Sequence, residues 1–426
     1  MRARFPVGPG DLYHLFMDRR MRGRGGRGNG SQILFELAGE VDPAALRERL
    51  DALLTSCPVL GAGLRSWPAH SWEVVPGHRI PLIVDLEGGD AEELFDRHYA
   101  RPFPPPDQPS LEVVLAAEAD RSLLLLRWLH PLMDAPGAMQ LVRILDGDDP
   151  TRYRLHDEPP SLARRARGGP RWRLVVAVHN FLLRYLARSI PAPRQRSLPA
   201  REVTPRVLWH TFDREQTRRI DARVEELAGP LQANHAYLAV AFLATREVLD
   251  AGRGSRLLIP CPVNLRPRAW RGPVFANYFT SVLVQLSARK LESQATAVAA
   301  VREAFRRALR RREEAATFWM MSLARWLPHP LYSLLMLGPT ARDPASVYYS
   351  NVTLDAGRDG RLLGLEVRRC LAASHVLRPP GAALVFSRFA DRLTVAVPHN
   401  GFDRAPALLA QTVARLEGET EHEAAG

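Results

Sequence analysis

A histidine and an aspartate four residues apart, His130 and Asp134, stand out in RSLLLLRWLHPLMDAPGAMQLV (Arg121 to Val142) as a pair whose types and spacing could do acid–base chemistry. Imidazole is the side chain whose ordinary pKa suits proton transfer near neutrality, and a carboxylate beside it can orient a ring or a loop. Chance supplies that spacing often, so the surrounding residues decide its meaning. Leu123 to Leu126, followed by Trp128 and Leu129, form a short apolar run of the kind that makes a buried strand. Pro131 removes a backbone donor and fixes φ, which ends the strand near His130, and Ala138 to Leu145 resume as a helix. Both residues therefore fall on a strand-to-helix loop, where a rigid scaffold presents functional side chains.

The elements that must hold such a loop belong to a chain of 426 residues, too long for one ordinary core at roughly 150 residues per domain. A hydrophobic content of 46% against 24% charged residues is that of a globular protein with a large core. Cys57, Cys261 and Cys370 are an odd number with no CxxC spacing, which predicts reduced core thiols and neither a zinc site nor a disulfide framework. The opening MRARFPVGPGDLYHLF lacks the apolar core of a signal peptide, so a cytoplasmic location is expected. No run of about 18 uninterrupted apolar residues is present to span a bilayer, leaving at most peripheral contact with a membrane.

The net charge of +12 comes almost wholly from arginine. It could attract nucleic acid, anionic lipid or a phosphate-bearing ligand, although an Arg-rich, Lys-poor, Ala- and Pro-rich chain also carries such charge through biased residue usage. MRGRGGRGNG (Met21 to Gly30) lacks the interleaved aromatics of an RNA contact and occurs once, so it is read as a flexible surface loop and no nucleic-acid partner is expected.

Along the chain, SQILFELAGEVD predicts a strand and Asp42-Pro43 a helix start, as N-cap and N1. WEVVP and IPLIVDL predict a ββ pair, and LEVVLAAEADRSLLLLRWLH two strands joined at an Asp-Arg-Ser turn. Prolines and arginines then cluster around an apolar helix at 172–190, which could lie on a membrane, cover a tunnel, or simply cross between domains. Beyond it come the strand LWHTFD, a mostly buried helix NHAYLAVAFLATREVLD capped by Asn234, a long basic helix from roughly Leu291 to Thr317, and the Met-rich FWMMSLARWLPHPLYSLLML. The organisation expected is α/β (α+β): an N-terminal subdomain 1–156 carrying the His130 loop, a Pro/Arg-rich crossover 157–204, and a C-terminal subdomain 205–426.

LHPLMDA resembles the HHxxxDG signature of the acyltransferase superfamily that includes chloramphenicol acetyltransferase, nonribosomal-peptide condensation domains, plant BAHD enzymes and bacterial wax ester synthases. His130 falls on its second, catalytic histidine and Asp134 on its aspartate. Other stretches are similar in order and distance. GPGDLYHLF with LAGEVDPAALRERLDALLTSCPVLGAGLR resembles the family's first strand, helix and "hPxLR" turn; NHAYLAVAFLATREVL, PVNLRPR with ANYFTSVLV, SNVTLDAG and LTVAVPHNGFDRAPALLAQTVARL resemble later elements. Leu129 replaces the first histidine and Ala135 the motif glycine. Where the condensation branch has an arginine that pairs with the motif aspartate, this chain has Gly61, leaving Arg65, Arg266 and Arg268 as candidate partners for Asp134.

The resemblance implies two chloramphenicol-acetyltransferase-like subdomains, with a central cleft and a tunnel that reaches His130 from both faces. It implies direct acyl transfer from a thioester to a hydroxyl or amine, with His130 as general base, Asp134 structural, and no tightly bound cofactor or metal. Ser350, Asn351, Asn277 and Tyr278 are the candidates for oxyanion or substrate contacts, Ser350 and Asn351 first; Arg266, Arg268 and Arg271 are those for donor phosphates. The co-substrate is acyl-CoA or a phosphopantetheine thioester on an acyl or peptidyl carrier protein, and the acceptor is a small, lipophilic molecule. The alternatives are a carrier-protein-dependent enzyme of the condensation type, and a non-catalytic member that binds without transfer.

Overall fold

A computed structural model describes residues 3–65, 70–156, 203–230, 232–266, 273–323, 327–337, 345–357 and 359–418. Strand β1 (Arg4–Pro6) enters helix α1 (Pro9–Gly23), which is followed by β2 (Gly30–Ala38), α2 (Pro43–Ser56), β3 (Ala62–Arg65), β4 (Ser71–Val74) and β5 (Leu82–Val84). Helix α3 (Ala91–Tyr99), β6 (Leu111–Glu118), β7 (Arg121–Leu129) and α4 (Ala135–Leu145) complete the first stretch. After residue 203 come β8 (Arg206–Thr211), α5 (Arg214–Ala228), α6 (Ala233–Val248), β9 (Arg256–Asn264) and β10 (Phe279–Ser287). Helices α7 (Gln294–Arg310), α8 (Glu313–Leu323) and α9 (His329–Leu337) precede β11 (Tyr348–Thr353), β12 (Arg361–Leu362), β13 (Leu365–Ser374), β14 (Ala383–Phe389), β15 (Arg392–His399) and α10 (Ala405–Glu417).

Every residue of β7 from Ser122 to Leu129 is buried, as its unbroken apolar run requires, because a strand covered on both faces has no solvent side to make polar. It lies inside a six-stranded sheet of order β12-β13-β2-β7-β6-β5, antiparallel to β2 and β6. Two of those strands, β12 and β13, come from the distant 361–374 stretch, and β13 pairs with β2 in register Cys370 to Phe35. A second, four-stranded sheet runs β11-β14-β15-β8, and β9 and β10 form a separate antiparallel pair. One apolar core gathers around β2, β6 and β7 with α2 and α4; another wraps the largely buried α6. The three cysteines are unpaired and buried in these cores.

Asp42 caps α2 by accepting from Ala44 and Ala45 N–H, with Pro43 at the first helical position. Several expectations need correction. GPGDLYHLF, which the sequence reading assigned to no element of its own, opens α1: Gly8 is extended, Pro9 occupies N1, and Asp11 reaches back to the Gly8 N–H in the manner of a capping box. WEVVP does not pair with IPLIVDL; β4 pairs with β1 and β3, and β5 runs parallel to β6. Asn234 does not cap α6, which begins at Ala233, but turns its side chain to the Tyr349 hydroxyl at 2.8 Å. The long basic helix breaks at Arg312, whose φ is +55°, dividing it into α7 and α8. The helix read at 172–190 lies outside the described residues. Among the described residues no helix is long and apolar enough to cross a membrane.

Candidate active site

Pro131 and the buried end of β7 turn the chain sharply after His130, and Trp128 closes the loop by donating its indole N–H to the Met133 carbonyl at 2.9 Å. Asp134 is extended and caps α4, accepting the Gly137 N–H at 3.0 Å. Arg266 meets the same carboxylate with both terminal nitrogens, Nη1 to Oδ2 at 2.6 Å and Nη2 to Oδ1 at 2.9 Å, and the Tyr278 N–H adds a bond to Oδ2 at 2.9 Å. Both partners are buried, Asp134 side chain 11% exposed and Arg266 6%, so four donors compensate a charge that would otherwise be costly there.

Of the candidate partners for Asp134, the structure selects Arg266. Arg65 pairs with Glu73 instead, and Arg268 and Arg271 lie outside the described residues. Committed to Asp134, the Pro273 carbonyl and the face of Tyr278, Arg266 is not available to a donor phosphate. The segment that follows it docks on the N-terminal core: Val274 and Phe275 N–H groups donate to the Arg154 and Leu155 carbonyls, and both side chains are buried there. Gly137 permits this approach, since a Cβ at that position would stand 2.2 Å from the Val274 carbonyl oxygen.

The same segment delivers Asn277 to His130. The Asn277 Nδ2 group donates to the His130 carbonyl at 2.7 Å and to Asp11 Oδ1 at 2.9 Å. With both its protons placed, its Oδ1, 3.0 Å from His130 Nδ1, must accept, which puts the His130 proton on Nδ1. Nε2 then carries the lone pair and has no hydrogen bond among the described residues. Burial pushes the His130 pKa below the ordinary value, partly offset by its own carbonyl, by Asp134 and by Asn277, so the ring is neutral at pH 7.

Three residues behind this arrangement were not read from the sequence. Asp11, on α1, accepts the Asn277 N–H at 2.6 Å as well as its side chain; burial pushes its carboxyl up to about 7 against these bonds. His14, one turn further along α1, lies against the His130 ring. Asn29 closes the set: its carbonyl accepts the His130 N–H at 2.9 Å, and its side chain donates to His14. A helical reading of GPGDLYHLF would have put Asp11 and His14 on one face, three residues apart. Asn29 was hidden in the Gly-rich tract, whose end is not a surface loop: Gly28, Asn29 and Gly30 are buried.

Of the four substrate candidates, the structure brings Asn277 and Tyr278 to the His130 loop. Ser350 and Asn351 sit on β11, Asn351 exposed and 3.3 Å from Asn234 Oδ1, and no hydrogen bond joins either to that loop. The Met-rich α8 packs on β10 and α1 with Met320 and Met321 buried, while its Phe318 lines a cleft with Asp11, Asn277 and Tyr278. Among the described residues no His, Cys, Asp and Glu cluster could hold a metal ion.

No family model matches this chain, and neither does any curated protein. The chain has the mixed α/β fold of the condensation domains and chloramphenicol-acetyltransferase-like acyltransferases. The TRI3 trichothecene 15-O-acetyltransferase of Fusarium sporotrichioides aligns at a TM-score of 0.70 and 13% identity, over 98% of this chain and 95% of that one. The first condensation domain of the calcium-dependent antibiotic synthetase, solved with a substrate analogue, gives 0.69 and 16%, over 97% and 96%. A starter condensation domain of rhizomide synthetase, solved as a variant with C8-CoA, gives 0.64 and 13%, over 97% and 94%.

Proposed function

We propose that this protein is an acyltransferase that moves an acyl group from a thioester, acyl-CoA foremost, directly to a hydroxyl or amine of a small lipophilic acceptor. One observation carries the reading: a neutral His130 whose Nδ1–H is held by Asn277, leaving Nε2 as the unengaged base. Nε2 takes the proton of the acceptor as its oxygen or nitrogen bonds to the thioester carbon. The C–S bond then breaks, and the imidazolium returns the proton to the departing thiolate. A base so placed contributes about 10²- to 10⁴-fold. Asp134 does no proton transfer here, since its oxygens are filled by Arg266, Gly137 and Tyr278; it holds the loop that aims His130. The likeness in fold to an O-acetyltransferase and to a domain solved with C8-CoA supports this chemistry.

A carrier-protein donor is the second reading, favoured by the net charge of +12, which suits an acidic carrier surface. The test is mass spectrometry of products from the protein and its His130→Ala variant, given acyl-CoAs or acyl-loaded carrier proteins with mixed alcohols and amines. An acylated product that disappears in the variant is the expected result. Product formation that survives His130→Ala would overturn the role of the base.

A further inference from the structure

Helix α1 turns one stripe of residues, Asp11, His14 and Asp18, toward the His130 loop, and all three hold polar groups there. The ring of His14 lies flat on that of His130, with centroids 3.6 Å apart and planes 8° from parallel. Hydrogen bonds fix His14 as firmly as they fix its neighbour. Asn29 Nδ2 donates to the His14 carbonyl at 3.0 Å and to His14 Nδ1 at 3.1 Å, so Nδ1 accepts and the proton sits on Nε2. Asn29 is in turn pinned by its own N–H to Asp18 Oδ1 at 2.8 Å, and Asp18 is gripped by Arg22 at 2.8 Å. Its carbonyl takes the His130 N–H. One buried residue thus ties the platform ring and the base to the same anchor.

Aliphatic packing against His130 would leave its ring free to rotate, whereas a flat ring held parallel beneath it does not. A histidine tethered at its main chain and at Nδ1 cannot turn, and it therefore sets the plane in which the His130 ring must lie. His14 is also kept neutral, by burial first and by the neighbouring His130 second. An imidazolium formed on His130 would then lie over an uncharged ring instead of beside a second positive charge.

We infer that His14 is a positioning residue for His130, a tethered stacking platform that holds the ring in the orientation in which Asn277 keeps the proton on Nδ1 and Nε2 is the base. The consequence for turnover rests on the acyltransferase reading; the geometry does not. The charged and titratable groups facing the pair are Asp134 with Arg266, Asp11 behind Asn277, and Asp18 with Arg22 behind Asn29.

The full-length protein labelled with ¹⁵N-histidine tests this without a substrate. Long-range ¹H–¹⁵N spectra recorded across pH report the tautomer and titration of each ring, with His130→Asn to assign the His130 signals and melting temperatures to confirm folding. The native His130 should show the Nδ1–H tautomer and a midpoint below 6.5. In His14→Ala its nitrogens should move toward tautomer-averaged values and its midpoint rise toward 6.5, while His14→Phe, which keeps a stacked ring, should restore the native tautomer. With a substrate pair in hand, kcat should fall about 10- to 100-fold in His14→Ala and recover substantially in His14→Phe. A His130 unchanged in tautomer and midpoint by His14→Ala overturns the inference, and so does a folded His14→Phe that matches His14→Ala. Because the spectra need no turnover, a protein that transfers no acyl group and a His14 that positions nothing give separate signatures.

Discussion

Arg266 grips Asp134 through two charge-assisted bonds, 2.6 and 2.9 Å long, across 132 residues of chain. The pair joins the loop after β9 to the start of α4 and so holds the two cores at the site. Breaking a buried pair leaves an uncompensated charge, so Arg266→Ala should cost about 3–5 kcal/mol in chemical denaturation, and Asp134→Ala a similar amount. The double variant should lose much less than the sum of the two, since the second change removes the charge stranded by the first. Arg266→Lys should recover little, because one ammonium cannot bridge both carboxylate oxygens.

Asp11 ties stability to pH in the direction opposite to an ordinary ion-paired carboxylate. Burial raises its folded pKa to about 7 from 3.8, so the folded state holds a proton that the unfolded chain has released. Its contribution is full below 3.8 and is lost as the pH rises through about 7, worth up to about 4 kcal/mol. The melting temperature of the native protein should therefore fall relative to Asp11→Asn between pH 4 and 8. A constant difference between the two curves would show that Asp11 stays ionised when folded.

Gly10 and Gly23 lie in the same helix and should respond oppositely to alanine. Alanine is favoured over glycine by about 1 kcal/mol in a helix. At Gly23 nothing lies within 4 Å of an added Cβ, so Gly23→Ala should be neutral or stabilising. At Gly10 the Cβ would stand 2.2 Å from the Asn277 carbonyl oxygen, a backbone atom that cannot rotate away. Gly10→Ala should cost about 1–3 kcal/mol in urea denaturation and lower activity, because α1 must lift off the residue that holds His130.

His156 stacks on Phe5 with centroids 4.3 Å apart, and burial pushes its pKa down to about 4. A histidine held neutral in the folded state supports stability above its unfolded value near 6.5 and withdraws that support as the pH falls through about 4. His156→Phe should flatten the loss of melting temperature between pH 6.5 and 4 and leave stability at pH 8 within about 0.5 kcal/mol of native. Parallel pH profiles would exclude His156 as a source of acid sensitivity.

How much of this was legible beforehand depended on how local each feature is. The apolar run ending at His130, the proline that stops it, the hairpin of β6 and β7, and the Asp42-Pro43 helix start all follow from interactions within a few residues, and the structure shows each of them. His130 and Asp134 could be singled out for the same reason, because their loop is set by its own sequence. The N-terminal GPGDLYHLF was not read as a helix: Gly and Pro there mark the entry to one, and the helix gains its stability from the packing of Leu12, Leu15 and Phe16 in the interior.

Only the tertiary structure decided which arginine meets Asp134, which amide sets the tautomer of His130, and that His14 supplies the ring beneath it. These contacts join residues more than a hundred positions apart, and their partners are chosen by burial: a charged or polar group enclosed between two cores must be satisfied by whatever the packing brings within about 3 Å. The placement of β13 beside β2 has the same origin, since strand pairing across more than 300 residues carries no local signature. The sequence by itself determined the local frame of the His130 loop; the meeting of two cores determined which polar groups surround it.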